Sequence, residues 1–175
     1  MISLFKTCMI VLIVLGAGGS SIVAQTDAQV QEVRKKFEEG DPGMQAWFKE
    51  AYAYAVFPSV GKGAYVIGGA YGKGLVYEQH TLVGRSTLTQ LTIGFQLGGQ
   101  AFSEVIFFKD KTAFDDFIRG NFEFGAQVSA VALTAGVSAD LAYNKGVAIV
   151  TATKGGLMYE ASVGGQKFSY EKIED

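Results

Sequence analysis

Alternation of apolar and polar residues predicts several β-strands along the chain. Over residues 91–98, polar residues or glycines separate four apolar positions, Leu91, Ile93, Phe95 and Leu97. A half-buried strand has this period of two, because successive side chains point to opposite faces of the sheet. The same period recurs over residues 122–129 and 157–164. Shorter strands are predicted over residues 64–71, 74–79, 105–109 and 147–153.

Apolar residues at helical spacing predict three helices. The first begins at the capping box of Thr26 and Gln29 and ends at Gly40, with an apolar stripe of Val30, Val33 and Phe37. The second begins at Asp41 with Pro42 at its first position and closes at Pro58, with apolar positions Met44, Trp47, Phe48, Ala51 and Ala55. The third covers residues 110–119. The predicted class is α+β: a β-rich antiparallel sheet or barrel-like sandwich with N-terminal helices and one inserted helix.

The N-terminus has the pattern of an export signal. Lys6 is the only charged residue before Asp27, a continuous apolar run follows it, and small residues come next. This order predicts a signal peptide over residues 1–24, cleaved after Ala24, and an exported, periplasmic or secreted domain over residues 25–175. An uncleaved membrane anchor is the alternative. Cys8 is the only cysteine and falls within the signal, so no disulfide is expected.

Composition narrows the class of protein. Hydrophobic residues make up 49% of the 175 residues and charged residues 18%, which is the balance of a folded chain. The formal net charge is -2. This balance has no basic excess of the kind that nucleic-acid binding requires, so no nucleic-acid partner is predicted.

The sequence carries little that would support catalysis. His80 is the only histidine, so a histidine-based metal site or a Ser-His-Asp triad is not expected. Asp115 and Asp116 are adjacent on a predicted helix and point in different directions. We therefore predict a non-enzymatic domain with no metal and no cofactor.

Lysines placed beside glycines are the candidate binding residues. Lys62 and Lys73 each lie between two glycines, and glycine-rich turns can present backbone N–H groups and a mobile positive charge to one phosphate. If two similar hairpins are equivalent, Lys62 groups with Lys145 and Lys73 with Lys154, and Arg85 joins one of these pairs. The alternative is a set of hairpin turns with solubilising lysines.

The first helix could add an apolar contact to this weak electrostatic binding. It carries three consecutive basic residues, Arg34, Lys35 and Lys36, beside a narrow apolar stripe. This combination is typical of an interfacial amphipathic helix. A helix packed on the sheet has the same pattern, and Glu38 and Glu39 dilute the charge. Both interpretations stay open at this point.

Four glycine-rich segments resemble the SYLF family of lipid-binding domains. They begin at Ala55-Val56-Phe57-Pro58, Gly69-Ala70-Tyr71-Gly72, Gly94-Phe95-Gln96-Leu97 and Lys154-Gly155-Gly156-Leu157. The resemblance spans roughly residue 37 to the C-terminus and departs from the family pattern over residues 84–88, which lack its Trp and Pro. It implies binding to anionic lipids or membrane surfaces, often phosphoinositides. Eukaryotic relatives also bind actin, and bacterial relatives are typically exported.

The predicted function is therefore a non-enzymatic lipid-binding module at the cell envelope, peripheral on a membrane, that contacts anionic or phosphorylated head groups. Two alternatives remain. A small outer-membrane β-barrel would share the signal, the glycines and the alternation. A structural or protein-interaction domain, with an actin-type partner by family analogy, is the other.

Overall fold

A computed structural model describes residues 18–61, 69–91, 101–120, 130–153 and 165–173. Its helices are α1 (Gly18–Gly40), α2 (Met44–Glu50), α3 (Lys111–Ile118) and α4 (Val137–Asp140). Its strands are β1 (Ala53–Gly61), β2 (Gly69–Glu78), β3 (Thr81–Leu91), β4 (Phe102–Phe108), β5 (Val131–Ala132), β6 (Val147–Thr153) and β7 (Gln166–Lys172). The β-rich α+β class is confirmed.

The described strands form one sheet in the order β5-β6-β4-β1-β2-β3-β7. The short β5–β6 pair is parallel, and the other neighbours are antiparallel. The β2–β3 connection is a two-residue turn at Gln79 and His80, both of which have positive φ. Such turns match the twist of the flanking strands.

The sheet curls strongly around one of its faces. Strands β4 and β7 are four positions apart in the order, which is roughly 19 Å along a flat sheet. Yet Gln166 Nε2 on β7 donates a hydrogen bond of 3.0 Å to Glu104 Oε2 on β4. The rings of Phe57 on β1 and Phe168 on β7 are also 5.7 Å apart. These contacts make this face a concave interior.

Each face of the sheet has its own core. The concave face packs against α3, where Phe117 lies 4.8 Å from Phe108 and 5.4 Å from Phe168 between ring centroids. The opposite, helix-bearing face packs against α1 and α2 through Val30, Val33, Phe37, Met44 and Phe48, all buried. Strand β1 lies between the two cores, and six consecutive residues from Ala53 to Pro58 are buried.

Several helix and strand predictions are confirmed, and others are corrected. Helix α3 begins after Asp110, which accepts a hydrogen bond from Ala113 N at 3.0 Å, and β6 has the predicted bounds. Helix α1 begins at Gly18, so Thr26 lies inside it and not at its N-cap. Helix α2 begins at Met44, not at Pro42. The strands predicted over 122–129 and 157–164 lie outside the described residues. Of the strand predicted over 91–98, Leu91 is the last residue of β3, and the rest lies outside the described residues.

The prediction that the second helix continues to Pro58 is wrong. It ends at Glu50, because Ala51 turns to an extended backbone with φ -60° and ψ 138°, and β1 follows. The spacing of Ala51 and Ala55 is helical, but every residue from 53 to 58 is apolar or aromatic. A fully buried central strand has this composition, and periodicity alone does not separate it from a buried helix.

The predicted turn at Gly72-Lys73-Gly74 is also wrong, because β2 runs straight through it. These glycines make room for β1, whose register shifts between Val56 and Ser59. A Cβ on Gly74 would lie 2.5 Å from Val56 O, and one on Gly72 would lie 2.8 Å from Val60 Cγ2. Close backbone approach therefore explains both glycines.

Candidate functional site

The basic run of α1 is largely neutralised within the protein. Arg34 Nε donates to Glu38 Oε1 at 2.9 Å, and its guanidinium carbon lies 5.1 Å from the centroid of the Phe48 ring. Lys35 Nζ lies 3.6 Å from Glu39 Oε1. The apolar stripe of α1 is buried against the sheet. The packed-helix interpretation is therefore the one that the structure supports.

Lys36 belongs to a groove between α1 and the end of the sheet. Its Nζ donates to Thr153 O at 2.8 Å. The groove has a volume of about 710 Å³ and is lined by Gln29, Glu32, Val33, Lys35, Lys36, Glu39, Pro58, Ser103 and Thr153. Two lysines and two glutamates give the lining a formal charge of zero.

Lys73 and Arg85 come together on the part of the helix-bearing face that α1 and α2 leave uncovered. Lys73 pairs with Thr87, and Arg85 pairs with Leu75. Because alternate residues share a face, Lys73 and Arg85 are diagonal neighbours on adjacent strands. We call this region the open face; it consists of Tyr71, Lys73, Arg85, Thr87, Thr89, Lys167, Ser169 and Glu171.

The side chains of the open face are solvent-accessible and carry a positive balance. Lys73, Thr89, Lys167, Ser169 and Glu171 are exposed, and the other three are half-buried. Three basic residues and one acidic residue give a formal charge of +2. Glu171 stands opposite Arg85 in the register. No ion pair among the described residues involves Lys73 or Arg85.

Hydroxyl groups lie between these cations. Thr87 and Ser169 pair across β3 and β7, and their side-chain oxygens share a hydrogen bond. Arg85 Nε is buried and has no hydrogen-bond partner within the described part of the chain. Sequence reasoning missed Lys167 and Ser169 because strand β7 was not predicted, and it missed Thr87 because strand β3 was not predicted. The alternation of Gln166, Phe168 and Tyr170 with Lys167, Ser169 and Glu171 is the signal that could have found it.

Lys145 lies in the predicted turn, but away from Gly61. Asn144 bridges to Val147, and Lys145 and Gly146 have φ of 50° and 81°. Val147 pairs with Phe108 at the Ala53 end of β1, whereas Thr153 pairs with Phe102 at the other end. These ends are roughly 20 Å apart along β6. The register therefore does not bring Lys145 towards Gly61, the residue before Lys62.

Lys62 and Lys154 lie outside the described residues. The residues directly before them are Gly61 and Thr153, which lie at the same end of the sheet because Phe102 pairs with both Val60 and Thr153. Lys36 also contacts the chain at Thr153. The pairing register thus places Gly61 and Thr153, the residues before the two lysines, at one end of the sheet.

The concave face holds a buried carboxyl group that the sequence analysis did not single out. Glu104 is fully buried, and burial raises its pKa to about 7, against a smaller lowering by the hydrogen bond from Gln166. Glu104 Oε1, Gln166 Oε1 and Ser86 Oγ are buried without a partner among the described residues. Glu104 is the one charged residue in the apolar sequence of β4, and this position in the sequence could have indicated a buried carboxyl group.

Taken together, the fold and the site define a β-rich α+β domain built on one curled sheet, with an open, positively charged part on one face. Among the described residues, no helix combines the length and the apolar character needed to cross a bilayer.

Comparison with known proteins gives the family. The family model described as "Las17-binding protein actin regulator", Ysc84, matches residues 89–174. Beta cell expansion factor A of Aeromonas veronii is 30% identical over 134 residues, which cover 75% of this chain and 50% of that protein. The chain belongs to the SYLF family, and it spans about half the length of this curated relative. Membership supports a binding or regulatory module related to lipid or actin, in a family not known for enzymes.

Proposed function

We propose that this protein is a non-enzymatic module that binds anionic or phosphorylated lipid head groups through its open face. One observation carries the proposal. Lys73 and Arg85 lie side by side on an accessible sheet face, and no carboxylate among the described residues forms an ion pair with either of them. Arg34 and Lys35, by contrast, are paired with glutamates of their own helix.

The chemistry of the open face suits phosphate oxygens. Arginine presents a planar set of donors to phosphate, lysine adds a compact positive charge, and threonine and serine hydroxyls can donate further hydrogen bonds. Each basic residue near an anionic surface contributes about 1 kcal/mol. Lys73, Arg85 and Lys167 together would therefore give weak binding that falls as salt rises.

We propose a supporting contact from Lys36, Lys62 and Lys154, separate from the open face. Lys62 and Lys154 follow residues at one end of the sheet, where Lys36 donates to Thr153 O. Lys145 precedes the opposite end of β6 and is a separate candidate. The contribution of these lysines should be measured independently of the open face.

Co-sedimentation with phosphatidylserine-containing vesicles tests the proposal. Replacing Lys73 and Arg85 by glutamine should weaken binding to these vesicles by about 2 kcal/mol, or roughly 30-fold, whereas the wild type and the variant should bind phosphatidylcholine vesicles equally. The matched control replaces Lys49 and Lys111, two exposed lysines elsewhere, and removes the same charge. Equal binding by both double variants would refute the open face as the site. A Lys62→Gln, Lys154→Gln variant measures the supporting contact.

We also propose that the chain is exported and cleaved after Ala24. The α1 side chains in the described core, Val30, Val33 and Phe37, all follow Ala24, so cleavage leaves these contacts in place. N-terminal sequencing of protein recovered from the cell envelope or medium should begin at Gln25. A mature chain that retains Met1 would contradict cleavage.

A protein partner is the second candidate function, because the matched family model is described as a Las17-binding actin regulator. Binding to filamentous actin that persists without lipid, and that the Lys73→Gln, Arg85→Gln variant leaves unchanged, would favour this function over lipid binding.

A further inference from the structure

A small pocket beside α2 combines aromatic rings with two opposite charges. It has a volume of about 300 Å³ and is lined by Ala46, Trp47, Glu50, Lys109 and Tyr143. This volume is at the lower end of the range for ligand sites, which suits a head group and not a whole lipid. The pocket lies away from the open face, since none of its residues belongs to β2, β3 or β7.

The aromatic wall of the pocket is held in place by its neighbours. The ring centroids of Trp47 and Tyr143 are 4.9 Å apart with an angle of 46° between their planes, and Trp47 also lies 5.6 Å from Phe107. Trp47 Nε1 donates to Ser138 O at 3.2 Å. The polar edge of the indole is thus engaged within the protein, which orients the ring.

Two charged side chains complete the lining without neutralising each other. Glu50 and Lys109 both border the pocket, but no ion pair of either residue is found among the described residues. Burial, and to a smaller extent the charge of Glu50, raises the pKa of Tyr143 to about 12, so Tyr143 stays an uncharged phenol near that carboxylate. Lys109 is positioned by its backbone N–H, which donates to Gly146 O at 2.8 Å.

We propose that this pocket binds a phosphate–ammonium zwitterion of the phosphocholine class, with the ammonium group against Trp47, Tyr143 and Glu50 and the phosphate at Lys109. Aromatic faces attract ammonium groups through the ring quadrupole, and quaternary ammonium ions are the usual ligands of such sites. A carboxylate beside the rings adds attraction for the cation. A lysine on the same pocket supplies the charge that a phosphate requires. Neither a simple anion nor a simple cation would use both charges.

The single tryptophan of the chain provides a direct measurement, because Trp47 lines the pocket. Titration of the full domain with phosphocholine should change Trp47 fluorescence saturably, with matching heat in calorimetry. Tetramethylammonium alone and inorganic phosphate alone should each bind roughly tenfold more weakly. Binding to phosphatidylcholine vesicles would identify a lipid head group as the ligand, whereas binding to soluble phosphocholine without binding to the vesicles would identify a free ligand. The proposal would be overturned if neither soluble phosphocholine nor the vesicles bound saturably.

Substitutions at Glu50 and Lys109 test whether these residues bind the ammonium group and the phosphate. Glu50→Gln and Lys109→Gln should each weaken phosphocholine binding roughly tenfold, whereas Tyr143→Phe should retain it because the ring remains. Lys49→Gln is the matched control, since Lys49 is exposed on α2 and does not line the pocket. Undiminished binding by both Glu50→Gln and Lys109→Gln would overturn the assignment. The Lys73→Gln, Arg85→Gln variant should bind phosphocholine as the wild type does. The experiment therefore tests phosphocholine binding in the pocket independently of lipid binding at the open face.

Discussion

Replacing Glu104 with glutamine tests whether the curled sheet buries a carboxyl group that titrates near neutral pH. Glu104 is fully buried, and its register neighbours Phe57 and Thr151 carry no charge. The hydrogen-bond partner, Gln166, is also uncharged and buried. Glutamine has nearly the same shape and can still bond to Gln166, so the substitution removes the charge and little else.

The sign and size of the effect follow from the pKa of Glu104. Burial raises this pKa from 4.5 to about 7, so the folded protein holds the proton more tightly than the unfolded chain. The free energy of unfolding should therefore fall as pH rises from 4.5 to about 7 and stay low above that. Each unit of pKa difference corresponds to about 1.4 kcal/mol, so the loss is about 3 kcal/mol.

Urea unfolding at intervals between about pH 5 and about pH 8 measures this loss. The wild type should lose stability across this range relative to Glu104→Gln, which should be the more stable protein at the upper end. Glu171→Gln removes an exposed carboxylate and should behave like the wild type. Equal pH dependence in the wild type and Glu104→Gln, or a less stable Glu104→Gln at high pH, would refute the reasoning.

Three further substitutions test the packing by chemical denaturation. Gly74→Val should cost about 1–3 kcal/mol, because its Cβ would meet Val56 O at 2.5 Å; an unchanged stability would contradict the close approach of β1 and β2. Asp110→Ala should cost about 1 kcal/mol through the lost cap of α3, and Asp110→Asn should recover most of it. Phe117→Ala should cost about 3–5 kcal/mol, and a loss below 1 kcal/mol would mean that α3 does not hold the concave core.

The sequence predicted elements whose signals are local. Helix α3 has a capping aspartate, a regular apolar side and a terminal glycine, and β6 has a dense run of β-branched residues. Strand β1 was assigned to a helix, because alanines at helical spacing also suit a strand buried on both faces. What decides between them is the pairing of β1 with β2 and β4, which no local pattern contains.

The candidate site was predicted only in part, for the same reason. Lys73 and Arg85 were each identified, but their proximity depends on the β2–β3 register. Lys167 joins them through the pairing of β3 with β7. The paired residues of these two strands are at least 76 positions apart in the chain, as Gln90 and Gln166 are. The curl that buries Glu104 against Gln166 is likewise a property of the whole sheet.

The position of Lys73 links the packing of the sheet to its proposed chemistry. Gly72 and Gly74 are required by the backbone and side chains of β1, and an extended strand through them turns the intervening Lys73 to the helix-bearing face. The motif therefore presents its lysine from an extended strand and not from a turn. A strand surface with separated charges would contact head groups through several weak interactions. Binding should then depend on lipid density and salt more steeply than on the identity of any one phosphate.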